Sequence, residues 1–230
     1  MSMANWLRGG VVLAAAAGVI ALASPAFAQT GVELSVHDLN VYATSPITMP
    51  DGRICVACHT PHNAKAAVTD APLWNHEASA GGHTPYPSGA GTSMDAVVGA
   101  PAGISLLCLS CHDGSIALDS FGVGTRSPGA AAVTLTGTAL FSTDLTNDHP
   151  VSFTYDTALS GSDVELEDPD VALSGLGSTI SADMLFGAGN DQLECASCHD
   201  VHNGPGVPAG SALLRMANTG SAMCTTCHEK

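Results

Sequence analysis

Apolar residues crowd the start of this chain and thin out after it. Arg8 precedes an apolar run from Val11 through Ala23, and Ala26-Phe27-Ala28 stands before Gln29. A charged start, a short apolar stretch and a small-x-small site are the pattern of a cleaved secretory signal over residues 1–28. The run is shorter than the ~20 residues a membrane span needs. The expectation is an exported mature chain that begins near Gln29 and has no integral membrane segment. Downstream, residues 113–190 are rich in Gly, Ser, Thr and Asp. The alternations Val133-Thr134-Leu135-Thr136 and Val151-Ser152-Phe153-Thr154-Tyr155 predict short strands. At four places a cysteine and a histidine stand four positions apart, sharing one helix face, and a short helical turn is predicted at each.

Composition explains why so little regular structure is expected. The mature chain has roughly 200 residues, enough for one or two domains. Aromatics make up only 4% of the whole sequence, while Gly (25) and Pro (13) are abundant. A core of protein side chains alone would be thin. The net charge of −15 argues against nucleic acid and anionic membrane surfaces and suits cationic partners. The run Asp163-Val164-Glu165-Leu166-Glu167-Asp168-Pro169-Asp170 is read as a solvated loop in preference to a calcium site.

All eight cysteines fall in four Cys-x-x-Cys-His pentapeptides: Cys55 to His59, Cys108 to His112, Cys195 to His199 and Cys224 to His228. This is the attachment motif of c-type haem, in which two thiols add to the vinyl groups and the histidine binds iron. Zinc ribbons also pair Cys-x-x-Cys elements, usually ~15–20 residues apart, whereas the gaps here are 49, 83 and 25 residues. Neither zinc nor four disulfides explains a histidine after every pair. Four covalently bound haem c groups are therefore expected. Cys55, Cys58, Cys108, Cys111, Cys195, Cys198, Cys224 and Cys227 would be their attachment points, and His59, His112, His199 and His228 their proximal iron ligands. The predicted fold is mostly coil, with short helices at the haem motifs, a few short strands and a core built from stacked haems.

The sequence also repeats. Cys58-His59-Thr60-Pro61-His62-Asn63 resembles Cys198-His199-Asp200-Val201-His202-Asn203, and each copy closes on a second motif. Two dihaem modules are predicted, 31–125 and 140–230, joined by a linker over 126–139. Six histidines remain for four vacant iron positions: His37, His62, His76, His83, His149 and His202. His62 and His202 each follow a proximal histidine by three residues, a span of at most ~10–11 Å. That is too short to round the same macrocycle, so each should reach a neighbouring haem. His37 and His149 precede the first motif of their modules and complete the set of four. His76 is a further ligand candidate or a propionate donor, and His83 reads as an exposed loop residue. Met49, Met94, Met184, Met216 and Met223 are competing ligands, but the histidine supply favours bis-histidine sites.

The runs Ile54 to Ala64, Ala71 to His76, Leu107 to Gly114 and Asp148 to Phe153 resemble tetrahaem outer-surface cytochromes that polymerise into extracellular filaments (OmcE-type). The resemblance lies in the motifs rather than the loops. It implies bis-histidine haems, head-to-tail homopolymers and one distal histidine donated across each joint, for which His37 is the candidate. The expected role is electron transfer in the periplasm or at the cell surface, with redox proteins or extracellular acceptors as partners and no catalytic residue. A multihaem reductase with one open iron, or a monomeric shuttle, is the alternative.

Overall fold

The computed structural model describes residues 31–41, 47, 49–69, 71–89, 91–122, 133–204, 207 and 212–229. The expected signal segment 1–28, and residues 126–132 of the expected linker, lie outside the described residues. Within them the chain is mostly coil, with a few short helices and one two-stranded sheet. The helices are α1 (Gly103–His112), α2 (Thr157–Ser162), α3 (Ile180–Met184), α4 (Cys195–Cys198) and α5 (Cys224–Cys227). A single 3₁₀ turn covers Ile54–Ala57. That turn, α1, α4 and α5 each carry one cysteine–histidine motif. In three of them the histidine N–H returns to the carbonyl of the first cysteine, at 2.8 Å for His59, 3.1 Å for His199 and 3.0 Å for His228. This is the bond that closes one helical turn.

Caps start the two helices that lie outside the motifs. The Asp156 carboxylate accepts the Leu159 N–H of α2 at 2.9 Å, and Thr179 Oγ1 accepts the Ala182 N–H of α3 at 3.4 Å, relieving amides that a helix start leaves bare. Antiparallel strands β1 (Phe153–Thr154) and β2 (Gln192–Leu193) pair Phe153 with Leu193. The alternation at 151–155 thus forms a strand. The one at 133–136 does not, although Leu135 is buried between exposed Thr134 and Thr136. Its one described tie is the Leu118 N–H donated to the Val133 carbonyl at 2.7 Å, and a strand needs a ladder. The acidic run 163–170 is loop and turn but only partly solvated: Val164, Glu165 and Asp170 are exposed, whereas Pro169 is buried and Leu166 packs near Tyr155 and bridges to His228.

Two small apolar clusters hold these pieces. One joins Ala96, Phe153, Tyr155, Ile180, Met184, Leu185 and Leu193, with Cys227 against it. The other joins Ile47, Met49, Ala57, Leu118 and Leu135, with Val56, Cys58 and Cys111 against it. Motif cysteines edge both clusters. The two halves of the chain are in direct contact, because α1 packs on α4. No helix among the described residues is long and apolar enough to cross a membrane.

Candidate haem-attachment sites

The repeat seen in the motifs is also a repeat of backbone hydrogen bonds, at a constant offset of 140 positions. Thr60 N–H meets the Leu73 carbonyl at 2.9 Å, and Asp200 N–H meets that of Leu213 at 2.8 Å. Asn75 N–H bonds to Cys58 O, and Arg215 N–H to Cys198 O, both at 2.9 Å. Leu73 and Leu213 both sit at positive φ, 52° and 61°, so each follow-on loop turns back in the same way onto its motif.

That loop orients the histidine. Nδ1 of His59 lies 2.6 Å from the Pro72 carbonyl, and Nδ1 of His199 lies 3.0 Å from that of Ala212. His112 Nδ1 meets the Ala139 carbonyl at 2.8 Å, and His149 Nδ1 meets that of Pro150 at 2.9 Å. A carbonyl at Nδ1 demands the N–H there and leaves the Nε2 lone pair free, the arrangement of metal-binding histidines. These carbonyls belong to backbone and so have no side-chain signature. In the register of the hydrogen bonds Pro72-Leu73 corresponds to Ala212-Leu213, and the shared leucine is the trace the first and third motifs' carbonyls leave in sequence.

Three pairs of imidazoles face each other. His59 and His202 stand 6.1 Å apart between ring centres and lie 13° from parallel. His37 and His112 are 6.0 Å apart at 56°, and His149 and His228 are 6.4 Å apart at 74°. A metal–imidazole bond of about 2.0–2.1 Å and a ring radius of about 1.1–1.2 Å put two axial rings about 6.3 Å apart across one metal. All three separations match that distance. Burial, with help from His112, His199 and His202, pulls His37 down to about 4, so its ring is neutral, the form that binds metal. Its Nδ1 is buried with no hydrogen-bond partner, as is Trp74 Nε1 beside His59.

The other histidines part from expectation. His76 is 1% exposed, with Nδ1 2.9 Å from the Glu77 carbonyl and Nε2 3.0 Å from that of Ala117. Backbone oxygen stands against both nitrogens, so the ring is wedged into the chain beside Cys111 and neither nitrogen is open to a metal. His83 is no exposed loop residue: its side chain is 3% exposed and meets the buried Asp113 carboxylate at 3.0 Å. His37, expected to reach a neighbouring subunit, faces His112 of its own chain. His62 is exposed, and among the described residues no imidazole stands opposite His199.

The four motifs are neighbours in chain order. Burial, and then the nearby Cys58, push Cys111 up to about 12. The neighbouring Cys195 thiol, and then burial, hold the Cys108 thiol well above its ordinary range. Burial, and then Cys198, push Cys227 up to about 11. An open cavity of about 510 Å³ lies beside the fourth motif, lined by Glu167, Thr225, His228 and Glu229. Paired thiols, a proximal ring with a free Nε2 and a facing imidazole at the axial distance together fit covalent haem. The doubled CXXCH motif family matches residues 188–230, the third and fourth motifs. No curated protein matches the chain. A doubled motif of this kind implies covalently bound haem c and indicates a multihaem c-type cytochrome.

Proposed function

We propose that this chain is an exported electron carrier with one haem c at each of its four motifs, and that copies of it join head to tail into a conducting filament. A bound haem supplies one-electron cycling between ferric and ferrous iron. The chain's part is to hold each iron between two neutral imidazoles and to set the four groups side by side. His59 with His202, His112 with His37, and His228 with His149 would be the axial pairs within one chain. The contacts between successive motifs support a continuous route.

The imidazole pairs carry the polymer reading, because they follow a rule. In each half, the histidine upstream of the first motif pairs with the histidine of the second: His37 with His112, and His149 with His228. The histidine three residues after the third motif pairs with the first motif, as His202 does with His59. Carried one repeat further, the rule sends His62 to the third motif of another copy. His62 is exposed, and His199 faces no imidazole among the described residues, so the two ends complement each other. The ligand crossing the joint is then His62 rather than His37. Coordination at the joint gives strong assembly without a large apolar patch.

Electron micrographs and electron paramagnetic resonance of His62→Ala test this. The expected result is short soluble species with one high-spin iron per subunit, while the wild type forms filaments with every iron low-spin. Normal filaments from His62→Ala would overturn it. The geometry at His199 also favours a second reading, since in a monomer that iron would keep an open position for a small nitrogen or sulfur oxyanion. A monomeric wild type whose high-spin signal responds to nitrite or cyanide would select that reading.

A further inference from the structure

Glu194, next to the third motif, is 4% exposed. Its Oε2 accepts the Ser105 N–H at 3.0 Å and the Ser152 hydroxyl at 3.0 Å, and it also accepts the Ser105 hydroxyl. The Ser105 N–H belongs to the first turn of α1, where bare amides and the helix dipole favour an anion. Ser105 thus presents both its N–H and its hydroxyl to one oxygen, and the Ser152 hydroxyl, which also lies 3.1 Å from the Ala102 carbonyl, stands at the same oxygen. Space is kept for it. At Gly103, whose φ is +51°, a Cβ would fall 2.4 Å from Glu194 Oε1. Ser105 Oγ in turn accepts the Cys195 N–H at 2.9 Å, so the carboxylate's own donor grips the third motif. Among the described residues no Lys or Arg pairs with Glu194.

A glutamine could accept the same hydrogen bonds at its amide oxygen, and a buried charge without a counterion carries a desolvation penalty that the neutral amide avoids. The charge is therefore the feature that packing leaves unexplained. Its surroundings supply a reason. The carboxylate lies within electrostatic reach of Cys108 and of Cys195, the first cysteines of the second and third motifs. We infer that Glu194 is a fixed buried anion that lowers the reduction potentials of the two haems attached at those motifs. Reduction adds an electron to each iron, and a nearby negative charge in a low-dielectric interior opposes that addition. The two central members of the chain would thereby be held more reducing than their ligands alone dictate.

The inference rests on haem attachment at the second and third motifs, and the test separates the two. Haem content by mass is measured first: wild-type protein lacking haem at either motif would refute the proposed function itself. Spectroelectrochemical titrations of haem-loaded wild type and Glu194→Gln are then fitted with four one-electron waves. The expected result is a positive shift of two midpoints, with the other two unmoved and every iron as low-spin as in the wild type. Four unmoved waves, or four moving equally, would overturn the inference. If Glu194→Gln does not retain haem, Ser152→Lys places an ammonium beside the carboxylate and neutralises it in place. The same two waves should then rise, and haem-loaded Ser152→Lys with unmoved waves would overturn the assignment.

Discussion

His76 and His202 contain the same ring and end in opposite settings, and the difference lies in what meets their nitrogens. The His202 side chain is 67% exposed and faces His59 across the axial distance. His76 is enclosed between two backbone carbonyls, and burial holds it below the ordinary histidine range. Replacing His202 by alanine should leave four haems attached but convert one iron per subunit to high spin, read by electron paramagnetic resonance. Replacing His76 by alanine should leave every iron low-spin. Its cost falls on stability, since a buried carbonyl that loses its donor costs about 1–3 kcal/mol. In a chain of this size each kcal/mol lowers the melting temperature by about 2–4 °C. Both histidines are candidates on spacing alone. Choosing between them needs the position of Ala117, 41 residues away, and that is a tertiary fact.

At the scale of elements, the turns at the cysteine motifs are legible because their defining bond closes within five residues. α2 and α3 escape a reading by periodicity. They have six and five residues, too short to show a repeating apolar face, and their local signals are the caps Asp156 and Thr179. The alternation at 133–136 predicts burial correctly and a strand incorrectly, since alternation reports which side chains are hidden and a strand requires a partner edge. The start of α1 depends on a residue in another element. Gly103→Ala would force a side chain onto left-handed backbone, costing about 1–2 kcal/mol, and would also press on the Glu194 carboxylate. A melting temperature several degrees below wild type is expected for the haem-loaded variant, measured by its thermal unfolding.

For the whole molecule, the two apolar clusters contain seven and five buried residues, and motif cysteines edge both. Such clusters are small against the entropy of ordering a largely coil chain, about 1–2 kcal/mol per residue for the backbone alone. Chain produced without haem attachment should therefore lack a cooperative melt by circular dichroism and be cut rapidly by protease. Haem-loaded protein should do neither. A cooperative, protease-resistant apo chain would show that the polypeptide core suffices.

The candidate attachment points, the candidate proximal histidines, the supply of further histidines and the near-absence of regular structure are legible in the sequence alone. They depend on covalent chemistry within five residues, on counting and on composition, none of which needs a fold. The pairing of imidazoles was settled only by tertiary structure. A facing ring is brought in by loops of tens to more than a hundred residues, and nothing local encodes where such a loop ends. So His37 faces His112, His202 reaches across to His59, and His76 turns to backbone carbonyls. Glu194 follows the same logic. In sequence it is one acid beside a motif, and it becomes a buried charge only because α1 packs on α4 and Ser105, 89 residues away, closes over it.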